Sequence, residues 1–186
     1  MKLTDWMIKL FIKCGWLRIS PFDPKLVNPN SIDVRLGDKL SEVRSVNMNS
    51  RAYPIDPLKA NTFFTSELYW DGDGAFRLAP HRSVIGCLAE DIALPRWICS
   101  EIRGKSSLGR LFIDNSSVAG WIDAGWSGVL TIEIQNNSNN HILLTKGMKI
   151  GQVIFNLTLP CWKHYGERVT SKYQNQTPGQ GSKGIG

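Results

Sequence analysis

Hydroxyl and cationic side chains are concentrated in one short stretch of the chain, EIRGKSSLGRLFI, at residues 101–113. Lys105 and Arg110 supply positive charge, Ser106 and Ser107 supply hydroxyl donors, and two glycines leave backbone N–H groups accessible. Side chains of these types together suit a phosphate group. The alternative is a solvated basic surface beside a helix, and the stretch alone leaves both interpretations open.

The glycine and serine turn predicts a short helix over residues 107–111, with its positive dipole end toward the basic side chains. The letters GKS at 104–106 resemble part of an ATPase phosphate loop. That motif requires glycine where Cys99 stands, and no strand, loop and long helix surround it, so the ATPase interpretation fails.

A single acid interrupts the apolar pattern of a second stretch, VAGWIDAGWSGVLTIEIQ, at residues 118–135. Along a strand, alternate residues share a face. One face is formed by Leu130, Ile132 and Ile134, and the other by Val129, Thr131 and Glu133. Burying a carboxylate without a partner costs several kcal/mol. Glu133 is therefore either solvent-facing or a half-buried general acid/base beside basic and hydroxyl groups.

A mainly antiparallel β-barrel or sandwich is predicted to position these residues. One amphipathic helix opens the chain, capped by Thr4 and ended by Gly15, because apolar residues recur at helical spacing between them. Short segments rich in β-branched residues follow, separated by Gly, Pro, Asn and Asp. The predicted strands are 31–37, 83–94, 128–136, 141–145 and 147–155.

Two regions lack this strand pattern. Residues 45–75 predict an insertion or a long excursion with one or two strands. Residues 174–186, with four glycines in thirteen residues, predict a flexible tail that is either a frayed end or a flap closing over a site. We therefore expect one domain over residues 1–173, followed by this tail.

Composition limits the class of protein. The chain has 186 residues and a net charge of +6, which favours an anionic partner without the Lys/Arg runs typical of a nucleic-acid binder. No segment approaches the roughly 18 apolar residues of a membrane span. The four cysteines are far apart and form no C-x-x-C pair, so we expect reduced thiols and a cytoplasmic location.

Five segments in order resemble the dCTP deaminases of the dUTPase superfamily. The matching segments are SIDVRLGDKL, RGKSSLGRL, AGWIDAGWSGVLTIEIQN, GMKIGQVIF and YGERVTSKYQNQ. The resemblance spans nearly the whole chain and is weakest across residues 40–75. It implies a distorted jelly-roll barrel, a homotrimer with active sites between subunits, and conversion of dCTP to dUTP and ammonia.

The resemblance further implies Mg²⁺ bound through the nucleotide triphosphate, with no protein side chain as metal ligand, and no zinc. Consistently, the chain lacks the H-x-E and P-C-x-x-C motifs of zinc-dependent cytidine deaminases. The expected partners are nucleotides, namely dCTP, dUTP and, as feedback ligand in the family, dTTP. Neither nucleic acid nor membrane is expected as a partner.

Matching residue by residue implies roles for individual side chains. Glu133 matches the catalytic glutamate, which takes a proton from the water attacking C4 of cytosine and passes protons toward N3 and the leaving amine. Ser106 and the carbonyl of Ala119 match groups that hold this water, and Arg110 matches an arginine near the phosphates and the reacting centre. The substrate-binding matches are Lys105 and Ser107 near the phosphates, Ile122 and Asp123 facing base and deoxyribose, and Tyr165, Lys172 and Gln176 in the segment over the triphosphate.

Two departures bear on the product. Lys105 stands where many relatives have Arg, which keeps the charge but loses the two-pronged contact. Deaminases that stop at dUTP commonly carry His-Arg where this chain has Gly120 and Trp121, whereas bifunctional relatives carry Gly and an aromatic residue. Asp123 also matches the water-activating carboxylate of dUTPases. The alternatives to dUTP formation are therefore a bifunctional enzyme that forms dUMP, and a dUTPase alone.

Overall fold

The computed structural model describes residues 1–48, 51–52, 54–115 and 119–185. Three positions of the predicted excursion (49, 50 and 53), the first residue of the 118–135 stretch and the last residue of the tail lie outside the described residues. The fold is mainly β, with a helix near the N-terminus and a short internal helix, as predicted.

The helices are α1 Asp5–Lys13 and α2 Ser106–Gly109. The strands are β1 Arg18–Ser20, β2 Val27–Asn28, β3 Ser31–Ser45, β4 Asn47–Met48, β5 Arg51–Ala52, β6 Phe63–Leu68, β7 Ala75–Leu78, β8 Ser83–Ala93, β9 Ile98–Gly104, β10 Ile113–Asp114, β11 Trp121–Ile122, β12 Ser127–Asn136, β13 Ile142–Thr145 and β14 Lys149–Leu157.

The main sheet curls because β3 belongs to two of its regions. The strand order is β10-β12-β8-β3-β14-β9-β11, and all of these pairs are antiparallel. The first part of β3 pairs with β14, and its later part pairs with β8 and β6. The register with β8 shifts between Leu36 and Leu40. Gly37 lies within this shift, where a Cβ would stand 2.7 Å from the sulfur of Cys87. The close approach therefore requires glycine.

One hydrophobic core fills the inside of the curl. Fully buried side chains from four strands meet there, among them Leu36, Leu88, Ile132 and Phe155. Ile8 and Phe11 are the buried residues of α1, so the amphipathic pattern places that helix on the same core. Thr4 stands at the N-cap as predicted, but its hydroxyl forms no capping hydrogen bond.

Most predicted elements are present with shifted ends. The strand predicted at 31–37 continues to Ser45, because its later half pairs with β8 and β6. The predicted short helix begins one residue earlier, at Ser106, and ends at Gly109. The prediction omitted β9, whose sequence ICSEIRG mixes charged and apolar residues. The described parts of the excursion contain three strands, β4, β5 and β6, where one or two were predicted. Among the described helices, none has the length and apolarity needed to cross a membrane.

Candidate active site

A cavity of about 710 Å³ opens on the outer face of the sheet formed by β3, β8 and β12. Its walls include Glu133 and Thr131 of β12, Ile85 of β8 and Glu42 of β3, with Ala119 and Trp126 from the loops. Its size falls within the range of small-molecule sites. The two strand faces predicted for residues 129–134 are observed, with Ile132 and Ile134 buried and Glu133 half-buried on the cavity side.

Glu133 is held in the middle of the sheet. Its backbone pairs opposite Ile85 of β8, so the position of its carboxylate is set by two long strands. Burial raises the pKa of Glu133 above its usual 4.5, and a hydrogen bond from its own backbone offsets part of this rise. Among the described residues, no other side chain forms a hydrogen bond or salt bridge with this carboxylate. A half-buried carboxylate with a raised pKa on the wall of a cavity is a candidate general acid/base.

The C-terminal segment lies along β12 and forms one wall of the same cavity. The backbone N–H of Val129 donates to the carbonyl of Gln176 (2.9 Å), and the N–H of Asn175 donates to Ser127 (2.8 Å). At Gly128, φ is +138° and a Cβ would stand 2.5 Å from the backbone nitrogen of Gln176. Glycine at this position therefore permits the segment to approach the strand.

Side chains of this segment also contact Thr131, which lies two residues before Glu133 on the strand. The amide of Gln176 donates to the hydroxyl of Thr131 (2.6 Å), and this hydroxyl donates to the carbonyl of Gln180 (3.4 Å). Thr131 shares the strand face of Glu133, and Gln176 and Gln180 both line the cavity. The tail therefore forms a wall of the cavity into which Glu133 opens.

The other two C-terminal residues predicted for the site differ in position, because Tyr165 lines the cavity and Lys172 does not. Tyr165 lines the cavity, and its hydroxyl accepts a hydrogen bond from the N–H of Tyr173 (3.1 Å). The ammonium of Lys172 donates to the carbonyl of Gly184 (2.8 Å), which ties the residues just before the tail to the end of the tail.

The residues around α2 do not line this cavity. Ser106, Ser107 and Arg110 are exposed on the surface. Lys105, which precedes them, forms an ion pair with Asp33 of β3 (2.7 Å). Within one chain, the structure thus brings Glu133 together with Ala119, Tyr165 and Gln176, and it places the predicted serines and arginine elsewhere.

The two residues predicted to face base and sugar differ in how far their side chains are buried. The side chain of Ile122 is 3% exposed and packs in the core. Asp123 is exposed, and its carboxylate accepts a hydrogen bond from the indole N–H of Trp121 (3.0 Å). Asp123 and Trp121 line a second, smaller hollow of about 280 Å³, which Tyr165 also borders.

Sequence reasoning missed several residues that the structure assigns to this region. Trp126, Thr131 and Tyr173 line the cavity, and Asp33 holds Lys105. Strand alternation places Thr131 on the face of Glu133, but it assigns no site role to that side chain. Asp33 lies between Ile32 and Val34 in the first part of β3, where a buried acid could have been suspected for the same reason as Glu133. Trp126 and Tyr173 carry no such signal, because only the tertiary fold brings them to the cavity.

The donor types near the predicted phosphate positions suit an anion. Lys105, Ser107 and Arg110 offer ammonium, hydroxyl and guanidinium donors, whereas Mg²⁺ prefers oxygen acceptors. In the part of the chain that the structure describes, no group of three His, Cys, Asp or Glu side chains could hold a metal ion.

Comparison with known proteins identifies similar sequences. Residues 2–158 match the family model described as dCTP deaminase-like. A protein from Streptomyces griseus named dCTP deaminase, dUMP-forming, is 43% identical over 179 residues, which cover 95% of this chain and 91% of that protein. A protein of the same name from Mycobacterium avium is 44% identical over 178 residues, which cover 95% of this chain and 92% of that protein.

A similar solved structure supports the fold. The crystal structure of 2′-deoxycytidine 5′-triphosphate deaminase from Agrobacterium tumefaciens superposes with a TM-score of 0.62 and 26% sequence identity. The match covers 84% of this chain and 48% of that chain, so this chain corresponds to about half of the longer protein. The similarity confirms the predicted fold class.

Proposed function

Because the chain belongs to the dCTP deaminase-like family, we propose that it removes the amino group of dCTP and hydrolyses the uracil nucleotide onward to dUMP. The names of the similar proteins favour this bifunctional alternative over release of dUTP as the end product. Gly120 and Trp121 agree with it, since the resemblance links a Gly and an aromatic residue there to dUMP formation.

The observation that carries the deaminase proposal is the half-buried carboxylate of Glu133 on the wall of a nucleotide-sized cavity, where none of the described side chains pairs with it. As a base, it would take one proton from a water molecule, whose oxygen then bonds to C4 of cytosine. The same carboxyl group would pass protons to N3 and to the amino group, which leaves as ammonia when the C4–N bond breaks. One group serves both steps because the raised pKa of Glu133 allows uptake and release.

The second step needs a different water. Hydrolysis of dUTP to dUMP places the oxygen of water on the α-phosphorus and releases pyrophosphate. Asp123 is the carboxylate proposed to activate this water, and its exposed position leaves it accessible to a nucleotide. The indole N–H of Trp121 holds that carboxylate in place.

The proposed site needs a second copy of the chain. Ser106 and Arg110 are exposed and lie outside the cavity of their own chain. This arrangement supports an assembly in which α2 of a neighbouring protomer supplies both side chains to Glu133, as the homotrimer implied by the resemblance would do. Burial between protomers would also remove water from the carboxylate, which strengthens its interactions with the substrate.

The triphosphate is proposed to bind with Mg²⁺ held by the phosphate oxygens. Bound there, the ion would offset part of the negative charge of the triphosphate. The protein's own part is to hold the phosphates with Ser107, Arg110 and the backbone of α2, and to cover them with the segment that carries Lys172 and Gln176. No protein side chain is proposed as a ligand of the ion.

The test is to incubate the purified protein with dCTP and Mg²⁺ and to follow ammonia and nucleotides by enzymatic assay and anion-exchange chromatography. We expect equal amounts of ammonia, dUMP and pyrophosphate. Accumulation of dUTP would restrict the activity to deamination, and dUMP from dUTP without ammonia from dCTP would identify a dUTPase. No ammonia from any deoxycytidine nucleotide would reject the proposal.

A further inference from the structure

A buried carboxylate stands beneath the start of α2. Asp33 of β3 is 3% exposed. Its Oδ1 accepts hydrogen bonds from the ammonium of Lys105 (2.7 Å) and the amide of Asn28 (2.8 Å), and its Oδ2 lies 3.0 Å from the ammonium of Lys149. Burial raises the pKa of Asp33, but the hydrogen bonds from these three side chains outweigh burial and lower it below 3.8. Asp33 is therefore ionised at neutral pH.

The helix that follows Lys105 cannot be stable by itself. It has four residues, whereas isolated helices shorter than about 12 residues are marginal in water. None of its residues is fully buried, no side chain caps its N-terminus, and its half-buried Leu108 packs against the core. Its position therefore depends on contacts with the rest of the fold.

Lys105 supplies one such contact, because its backbone belongs to the first turn of α2 and its side chain reaches the sheet. Its carbonyl accepts hydrogen bonds from the N–H groups of Leu108 (3.0 Å) and Gly109 (2.9 Å), which close the first turn. Its side chain, only 24% exposed, reaches Asp33 on β3. The ion pair thus connects the first turn of α2 to a central strand of the sheet, across β14.

We infer that Asp33 is a positioning residue for the proposed reaction: through Lys105 it fixes α2, and with it Ser106, Ser107 and Arg110. This inference rests on the proposed function and changes the phosphate-binding role that the resemblance implies for Lys105. The ammonium of Lys105 has a carboxylate partner and serves mainly to hold α2, while Arg110 and the serines contact the nucleotide. Lys149 shares the carboxylate but is 51% exposed and precedes no part of α2.

Four variants separate positioning from direct phosphate binding: Asp33→Asn, Lys105→Met, the double variant, and Lys149→Met as matched control. If Asp33 acts through Lys105, both single variants lower kcat/KM for dCTP by about 10- to 100-fold, as expected for a misplaced catalytic group. The double variant is no worse than either single one, because both remove the same interaction. Lys149→Met stays within about twofold of the wild type, as is typical of an exposed ion pair.

Amide hydrogen exchange provides a readout that does not depend on activity. The N–H groups of Leu108, Gly109 and Arg110 donate within the turn. In Asp33→Asn and Lys105→Met they should exchange about tenfold faster or more, because local opening becomes easier. Lys105→Arg, which keeps the ion pair, should recover slow exchange. If Asp33→Asn fails to fold, exchange in Lys105→Met against Lys105→Arg decides whether the ion pair fixes α2.

The outcomes are distinct. If wild-type protein releases no ammonia, the proposed function fails, and the exchange data still decide whether Asp33 fixes α2. Wild-type kinetics and exchange in Asp33→Asn would overturn the inference. So would a large loss in Lys105→Met with none in Asp33→Asn, because Lys105 would then act on the phosphates directly.

Discussion

The chemistry of the proposed site depends on the environment of one carboxylate. Glu133 is fixed by the pairing of β12 with β8, faces a cavity, and has a raised pKa because burial disfavours its charged form. These properties suit a group that exchanges protons during the reaction. Burying this carboxylate costs free energy, which the burial of the large apolar core offsets.

Replacement of this carboxylate should abolish deamination with little change in structure. Glu133→Gln keeps the size of the side chain and removes proton transfer, which is worth about 10²- to 10⁴-fold in rate. Ammonia release from dCTP measures the loss. Glu67→Gln, which alters an exposed carboxylate paired with Lys39, is the control and should keep wild-type rates. Unimpaired ammonia release by Glu133→Gln would contradict the assigned role.

The same substitution should raise stability at neutral pH. The folded state raises the pKa of Glu133, so it binds more protons than the unfolded state between pH 4.5 and the raised value. Stability from this group is therefore present at low pH and lost as pH rises through that window. Glu133→Gln should melt at a higher temperature than wild type at pH 7.5, and the difference should shrink toward pH 4. An equal difference at both pH values would show that burial of the charge is not the cause.

At the scale of elements, the C-terminal segment contacts the excursion at residues 45–75. Gly181 and Gly184 lie against Thr65 of β6 and the carbonyl of Pro57, and the N–H of Ile185 donates to Pro57 (2.9 Å). The segment that lines the cavity thus docks on the region where the sequence resemblance is weakest.

Deleting residues 172–186 should raise KM for dCTP, because one wall of the cavity is lost. Unchanged kinetics would show that this segment is not a flap.

Adding a single methyl group at Gly181 should reproduce part of the rise in KM expected from the deletion. A Cβ at Gly181 would stand 1.9 Å from the hydroxyl of Thr65, so Gly181→Ala should displace the segment and raise KM in steady-state assays. Thr65→Ala in the same chain removes that hydroxyl and should recover part of the loss. Gly72→Ala is the control, because nothing lies within 4 Å of its added Cβ. Equal KM values in all three variants would exclude docking at Thr65 as a determinant.

The sequence predicted elements better than their arrangement. Helical spacing located α1, and segments rich in β-branched residues between Gly, Pro, Asn and Asp located β8, β12 and β14. Alternation within β12 placed Glu133 on the face opposite Ile132. It could not show that the tail contacts Thr131, or that Lys105 pairs with Asp33, because these contacts join residues 45 and 72 positions apart.

At the scale of the whole molecule, the proposed site residues form two groups on one chain. Glu133, Ala119, Tyr165 and Gln176 surround the cavity, whereas Ser106 and Arg110 lie exposed at α2. A neighbouring protomer that brings its α2 to the cavity would join them. Cyclic assembly of identical chains creates such a shared site at every interface.

Mixing two inactive variants tests this arrangement and the role of Glu133 together. Glu133→Gln and Ser106→Ala protomers, each inactive alone, are co-expressed with different affinity tags, and mixed assemblies are isolated and assayed with dCTP. We predict that ammonia release recovers to about a third of the wild-type rate, because in every mixed trimer one interface of the three joins an intact Glu133 to an intact Ser106. Activity no higher than the sum of the separate variants would contradict a site shared between protomers.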